Sequence, residues 1–77
     1  MAKNKEIDIM IGEKLKDLRI QNGMSLRYVG ERVGRSNVTI AYYESGRNAP
    51  DLSTLKRLCI LYGTDMMEFL GEIYDQL

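Results

Sequence analysis

Between Ser25 and Gly46 the chain reads SLRYVGERVGRSNVTIAYYESG, and in this stretch two helix-sized apolar patterns meet at a single glycine. Leu26, Val29 and Val33 recur at the spacing of one helix face, and Ser25 stands where a side-chain oxygen accepts from the first free backbone amides. Gly34 falls where the chain must leave that helix, a position that favours a left-handed backbone and tolerates no bulk. Ser36 is a second cap, opening a short helix over Asn37 to Ser45 that Gly46 closes. At about 100° per residue, Ile40, Tyr43 and Glu44 share one side of this helix, while Asn37, Val38, Ala41 and Tyr42 share the other. The first side packs; the second is displayed.

The remaining chain supplies the scaffold. Residues 1–6 are polar and read as a flexible arm carrying Lys3 and Lys5. A first helix is predicted from about Asp8 or Ile9 to Gln21, with Ile7, Ile11, Leu15 and Leu18 tracking one face, and Gly23 ends it. Pro50 restricts the residue before it and marks a loop from Asn48 to Asp51. Asp51 or Ser53 then caps a helix over about Ser53 to Tyr62, with Leu52, Leu55, Leu58, Cys59 and Tyr62 inward and Lys56 and Arg57 toward solvent. After Gly63, Thr64 or Asp65 caps a last helix from about Met66 towards Gln76. With no strand-like alternation and no internal repeat, the expectation is an all-α single domain over residues 1–77. Seventy-seven residues lie near the lower range in which a hydrophobic core suffices without staples.

A helix, a glycine turn and a second short helix form a helix-turn-helix unit, here residues 25–46. The chain resembles the Xre or Cro-repressor-type helix-turn-helix family of bacteria and their phages. The resemblance runs from about Ile11 to Leu70. It is carried by IGEKLKDLR, the Asn22-Gly23 break, the Ser25 cap, Gly34, the YESG ending of the third helix, Pro50, and LSTLKRLCILYG as the fourth helix. It implies a compact five-helix lambda-repressor-like DNA-binding domain. Three positions depart from the family's usual pattern: Leu26 where glutamine is frequent, Arg35 where an aliphatic residue is common, and Gly30 where alanine usually allows a close helix crossing. The resemblance also matches an arginine late in the first helix to a glutamate near the end of the third. In this chain those residues are Arg19 and Glu44, expected to form a structural salt bridge that locks the third helix to the scaffold.

Composition narrows the function. The chain has no histidine and one cysteine, Cys59, which sits among apolar neighbours and reads as a buried small hydrophobe. The usual nucleophilic, acid–base and zinc-ligand constellations therefore lack their parts. No enzyme activity, metal, cofactor or small-molecule substrate is expected. A lone cysteine permits no internal disulfide, no apolar run approaches a membrane span, and the start has no signal-peptide core, so the expected setting is the cytoplasm without a membrane partner. Net charge is zero, yet residues 1–57 hold all eleven bases against seven acids, a balance of +4, and residues 58–77 hold four acids and no base. A chain divided in this way presents a basic surface to phosphate while its acidic end points elsewhere.

The expected partner is double-stranded DNA. A major groove about 12 Å wide admits one helix. On the displayed face of the third helix, Asn37 is suited to pair bidentately with adenine, Val38 and Ala41 to meet a thymine methyl, and Tyr42 to reach a base edge or a phosphate. Backbone positioning falls to Arg35 in the turn and to Arg47 and Asn48 past the third helix, with Arg27 and Ser36 as secondary phosphate contacts. Met66, Phe69, Leu70, Ile73, Tyr74 and Leu77 form an apolar stripe on the last helix, residues 65–77, broader than one edge of so small a core requires. A homodimer interface is expected there, with two recognition helices about 34 Å apart over an inverted repeat. Continuation into a longer chain would also account for the stripe. The function expected is a transcriptional repressor. The alternative is a protein-interaction module, such as an antitoxin or adaptor, which Leu26 and the zero net charge favour.

Overall fold

The computed structural model describes residues 2–77, with side chains from Lys5 onward. Five helices follow one another and, among the described residues, there is no strand: α1 (Ala2–Gln21), α2 (Leu26–Val33), α3 (Asn37–Ser45), α4 (Leu52–Tyr62) and α5 (Met66–Asp75). Four are opened by a short polar side chain that accepts from a backbone amide three residues on. Ser25 accepts from Tyr28, Ser36 from Thr39, Asp51 from Thr54 and Asp65 from Glu68, all at 3.0–3.2 Å. Each cap satisfies one of the amides a helix start leaves without a partner. The Asp51 carboxyl is held below the usual carboxylate range by its hydrogen bonds to Thr54. At the α2–α3 turn, Gly34 adopts φ 75°, a left-handed conformation that costs a side-chain-bearing residue free energy, and its N–H returns to the Gly30 carbonyl.

Helix α1 begins well before the expected start near Asp8. Its first residues contain no glycine or proline and are mostly good helix formers. Lys5 also has a tertiary anchor, because its Nζ donates to the Gly46 carbonyl at 2.8 Å, at the C-terminal end of α3 where a cation is favoured. Lys5 and Glu6 are therefore helical rather than part of an arm. Met1 and the side chains of residues 2–4, Lys3 among them, lie outside the described residues.

One core serves all five helices: Leu15 from α1, Val29 and Val33 from α2, Ile40 and Tyr43 from α3, Leu55, Leu58, Cys59 and Tyr62 from α4, and Phe69 and Ile73 from α5. Burial pushes the Cys59 thiol up, consistent with a packing role. Leu52 departs from the expected inward face. It occupies the first position of α4, a turn ahead of Leu55, and is exposed.

Two residues assigned above to a subunit interface belong instead to this core. Phe69 and Ile73 retain 0% and 4% of their accessible surface, and Met66 and Leu70 pack partly against the same cluster. The stripe on α5 is broad because its centre closes this domain. On its flank, Met67, Tyr74 and Leu77 remain exposed.

Backbones approach closely at Gly12 and at Gly30. A Cβ on Gly12 of α1 would lie 2.7 Å from the Glu44 carbonyl oxygen, so α1 and α3 approach there backbone to backbone. At Gly30 of α2 it would lie 2.5 Å from the Arg35 carbonyl oxygen and 3.3 Å from the Asn37 amide nitrogen. Gly30 thus sets how tightly the turn folds over α2. Gly30→Ala gains about 1 kcal/mol of helix propensity but forces the turn backbone to move, which costs about 1–3 kcal/mol. The expected net result is a lower thermal midpoint; a raised midpoint would show that the turn yields freely.

Candidate nucleic-acid interface

Helix α3 is divided along its length as its sequence requires. Ile40 and Tyr43 are buried, while Asn37 and Val38, in the first turn, are exposed, Val38 at 52%. Ala41 and Tyr42 continue the outward side and are half-buried. The displayed surface is therefore widest at the N-terminal end of α3 and narrows toward its C-terminal end, where other groups cover it.

One covering group is Arg47. Its guanidinium carbon stands 4.4 Å from the centroid of the Tyr42 ring, a cation–π stack. The same loop is bonded to α3, since the Arg47 and Asn48 amides donate to the Tyr42 carbonyl at 3.0 and 3.3 Å. Tyr42 and Arg47, read separately from sequence as base and phosphate contacts, thus form one unit. Asn48 is exposed beside it.

Arg35 is engaged within the chain. Its guanidinium donates to the Gly34 carbonyl at 3.1 Å and to Thr54 Oγ1 at 3.0 Å, and lies 3.9 Å from Asp51 Oδ1. It ties the turn to the first turn of α4, which gives this departure from an aliphatic residue a packing purpose. Ser36 spends its hydroxyl on the α3 cap and a contact with Thr39 Oγ1. Arg27 makes an exposed 3.4 Å pair with Glu31 one turn along α2, an arrangement worth well under about 1 kcal/mol.

Sequence reasoning missed a second anchor. Arg57 is exposed, as its place in the sequence implies, but its Nη1 also donates to the Val33 carbonyl at 3.1 Å, satisfying an acceptor at the C-terminal end of α2. Both ends of the turn are thereby held by α4, through Thr54 and Arg57. Nothing in the local pattern marks Arg57 for this role, because the contact joins residues far apart in sequence.

Arg19 and Glu44 meet in a bidentate pair, Nε to Oε2 at 2.7 Å and Nη2 to Oε1 at 3.1 Å. Their side chains retain 14% and 6% of their exposure. Arg19 Nη1 also donates to the Met24 carbonyl at 2.9 Å, so one guanidinium joins α1, the loop before α2, and α3. Donation to the Glu44 carboxylate raises the Arg19 pKa against the opposing effect of burial. Nearby, the Tyr62 hydroxyl is buried with no hydrogen-bond partner among the described residues. Its pKa is pushed up to about 12, first by burial and then by the Glu44 carboxylate, so the phenol stays neutral. Two charges held by three hydrogen bonds at the edge of the core fix α3 in one orientation.

Among the described residues no helix is long and apolar enough to cross a membrane, and no group of three or more His, Cys, Asp or Glu side chains is placed to hold a metal. The surface described above offers a rigid helix, an amide side chain and cations, which is the equipment of recognition.

Comparison with known proteins points the same way. The helix-turn-helix domain family matches residues 11–69. The HTH-type transcriptional regulator PuuR of Escherichia coli strain K12 is 34% identical over 61 residues, covering 79% of this chain and 33% of PuuR. AnsR of Bacillus subtilis strain 168, also an HTH-type transcriptional regulator, is 37% identical over 59 residues, covering 77% of this chain and 51% of AnsR. The cryptic phage CTXphi transcriptional repressor RstR of Vibrio cholerae is 29% identical over 63 residues, 82% of this chain and 57% of RstR. The chain thus spans between a third and somewhat over half the length of these relatives. Among solved structures, the DNA-binding domain of BldD from S. venezulae superposes with a TM-score of 0.71 at 32% identity, covering 83% of this chain and 96% of that domain. The clp gene regulator ClgR from C. glutamicum shares the fold, with a TM-score of 0.80 at 22% identity over 92% of each chain. By the residues matched and by the order and capping of its five helices, this chain belongs to the helix-turn-helix domain family, of the Xre/Cro-repressor type.

Proposed function

We propose that this chain is a sequence-specific DNA-binding regulator of transcription, a repressor that acts as a homodimer on an inverted-repeat operator with α3 in the major groove. The observation that carries the reading is the exposed first turn of α3, with Asn37 and Val38 outward, on a helix pinned from behind by Arg19 and Glu44. A reading helix must present base-contacting groups without spending binding energy on its own alignment. Asn37 has the two-pronged amide that matches adenine N6 and N7, and Val38 offers a methyl-sized apolar contact to thymine. Ala41 and Tyr42 extend that surface. Arg47, oriented by its stack on Tyr42, would grip phosphate with Asn48, while Arg35, Ser36 and Arg27 contribute from positions where their side chains already have partners. For the homodimer, the exposed flank of α5, Met67, Tyr74 and Leu77, replaces Phe69 and Ile73 as the contact surface.

Selection from a pool of random duplexes at several salt concentrations tests the function, because an enriched sequence and a steep salt dependence together identify a specific DNA binder. Single substitutions then separate reading from positioning. Asn37→Ala is expected to cost about 1–3 kcal/mol and relax the preference at one base pair of each half-site. Arg47→Ala should weaken all duplexes by similar factors and lower the salt slope by roughly one unit per protomer. Uniform weakening by Asn37→Ala would remove that residue from base recognition.

A further inference from the structure

Beside the outward face of α3 lies a cleft lined by Lys16, Arg19, Leu26, Ala41, Glu44 and Ser45. Ala41 and Ser45 follow Asn37 at steps of four, so the cleft opens along the row that begins with the proposed adenine-reading side chain. Its charges are unequal in availability. The Glu44 carboxylate is taken up by two bonds from Arg19, and that guanidinium also serves Met24. Ser45 donates its hydroxyl to the Tyr42 carbonyl at 3.2 Å. Leu26, which opens α2, offers only an apolar wall. Lys16 is exposed, and among the described residues it forms no ion pair or hydrogen bond. With Arg19 and Glu44 cancelling, Lys16 leaves the cleft with one net positive charge.

We propose that Lys16, on α1 and outside the helix-turn-helix unit, is a backbone-positioning residue that holds a DNA phosphate at the mouth of this cleft. The inference rests on the DNA-binding reading above. Duplex DNA seated on Asn37 carries its backbone along the flank of α3, and a phosphate entering the cleft meets one uncommitted donor with a flexible four-carbon reach. Such a contact adds affinity and register without sequence information.

The test uses the whole chain and the best duplex selected for the wild type. Lys16→Gln should lower the salt slope by about 0.9 per protomer, so that between 50 and 200 mM salt the variant loses about 3.5-fold less affinity per site than the wild type. The ranking of single-base duplex variants should not change, and the thermal midpoint should stay put because the side chain has no partner to lose. Lys16→Arg should restore the slope. Leu26→Gln placed in the Lys16→Gln background should recover affinity at a fixed salt concentration while leaving the slope low, because a neutral donor replaces the contact but not the charge. An unchanged slope in Lys16→Gln, with wild-type binding intact, overturns the role of Lys16. An altered base ranking overturns its assignment to phosphate, and failure of the wild type to bind any duplex overturns the DNA-binding reading together with this one.

Discussion

Replacing Glu44 by alanine is expected to lower the thermal midpoint by on the order of 12–24 °C with no DNA present. The reason is the unpaired charge it leaves. Arg19 would keep its bond to Met24 but lose both carboxylate bonds at a site where its side chain is 14% exposed. Breaking a buried pair by removing one partner costs about 3–5 kcal/mol, and the lower end applies because some solvent reaches Arg19. In a domain of this size each kcal/mol moves the midpoint by about 4–8 °C. Removing both charges tests the mechanism further. Arg19→Met combined with Glu44→Leu should recover much of the loss, since apolar replacement of a buried pair is often neutral. Calorimetry on the two single variants and the double variant decides the matter. A midpoint for Glu44→Ala within a degree or two of the wild type would mean that the pair is no lock.

Ile73→Asp is expected to unfold the domain, whereas Tyr74→Asp with Leu77→Asp should leave it folded. Ile73 is 4% exposed and packs in the same cluster as Phe69, so a carboxylate there is buried without a cation. That burial, added to the lost apolar packing, costs upward of about 4 kcal/mol, a large part of what a domain this small has in reserve. Tyr74 is 74% exposed, and its neighbour on the flank, Leu77, is also exposed, so charges there remain solvated. Helical circular dichroism separates the two cases. Sedimentation of the folded Tyr74→Asp, Leu77→Asp variant beside the wild type then tests the proposed association, because the variant is expected to be monomeric and the wild type dimeric. A folded Ile73→Asp would contradict the core described here, and an unchanged dimer in the flank variant would place the interface elsewhere.

The apolar stripe on α5 shows where a sequence pattern is silent. Periodicity identifies Met66, Phe69, Leu70, Ile73, Tyr74 and Leu77 as one stripe but not what covers it, because burial within a chain and burial between chains produce the same spacing. Only the approach of α1 and α4 shows that Phe69 and Ile73 are already covered. The residues left exposed are those at the margin of the stripe.

The cations divide in a similar way. Eleven lysines and arginines can be counted, and their concentration before residue 58 is evident. Which of them are free is not, since Arg35 reaches Thr54, Arg57 reaches Val33 and Lys5 reaches Gly46 across separations of 19 to 41 residues. Each contact joins a flexible side chain to a carbonyl or hydroxyl positioned by a different helix. No local propensity records such a meeting.

By itself the sequence determined the helices from α2 onward and their limits to within about a residue, because caps, left-handed glycines and apolar spacing act within a few residues of one another. Ser25, Ser36 and Gly34 specify the turn in this way, and the 100° spacing divides α3 into a packed side at Ile40 and Tyr43 and an outward side at Asn37 and Val38. The joining of Arg19 to Glu44 came from family resemblance, but their closeness depends on α1 crossing α3 at Gly12, where there is no room for a side chain. Tertiary structure alone decided that Lys5 is anchored to the end of α3, that Tyr42 and Arg47 act as one stacked unit, and that Lys16 stands uncommitted over a cleft. The physical reason is range. Backbone hydrogen bonding and helix periodicity are settled between near neighbours in the chain, whereas the availability of a charge depends on which distant acceptors the packed helices bring within about 3 Å of it.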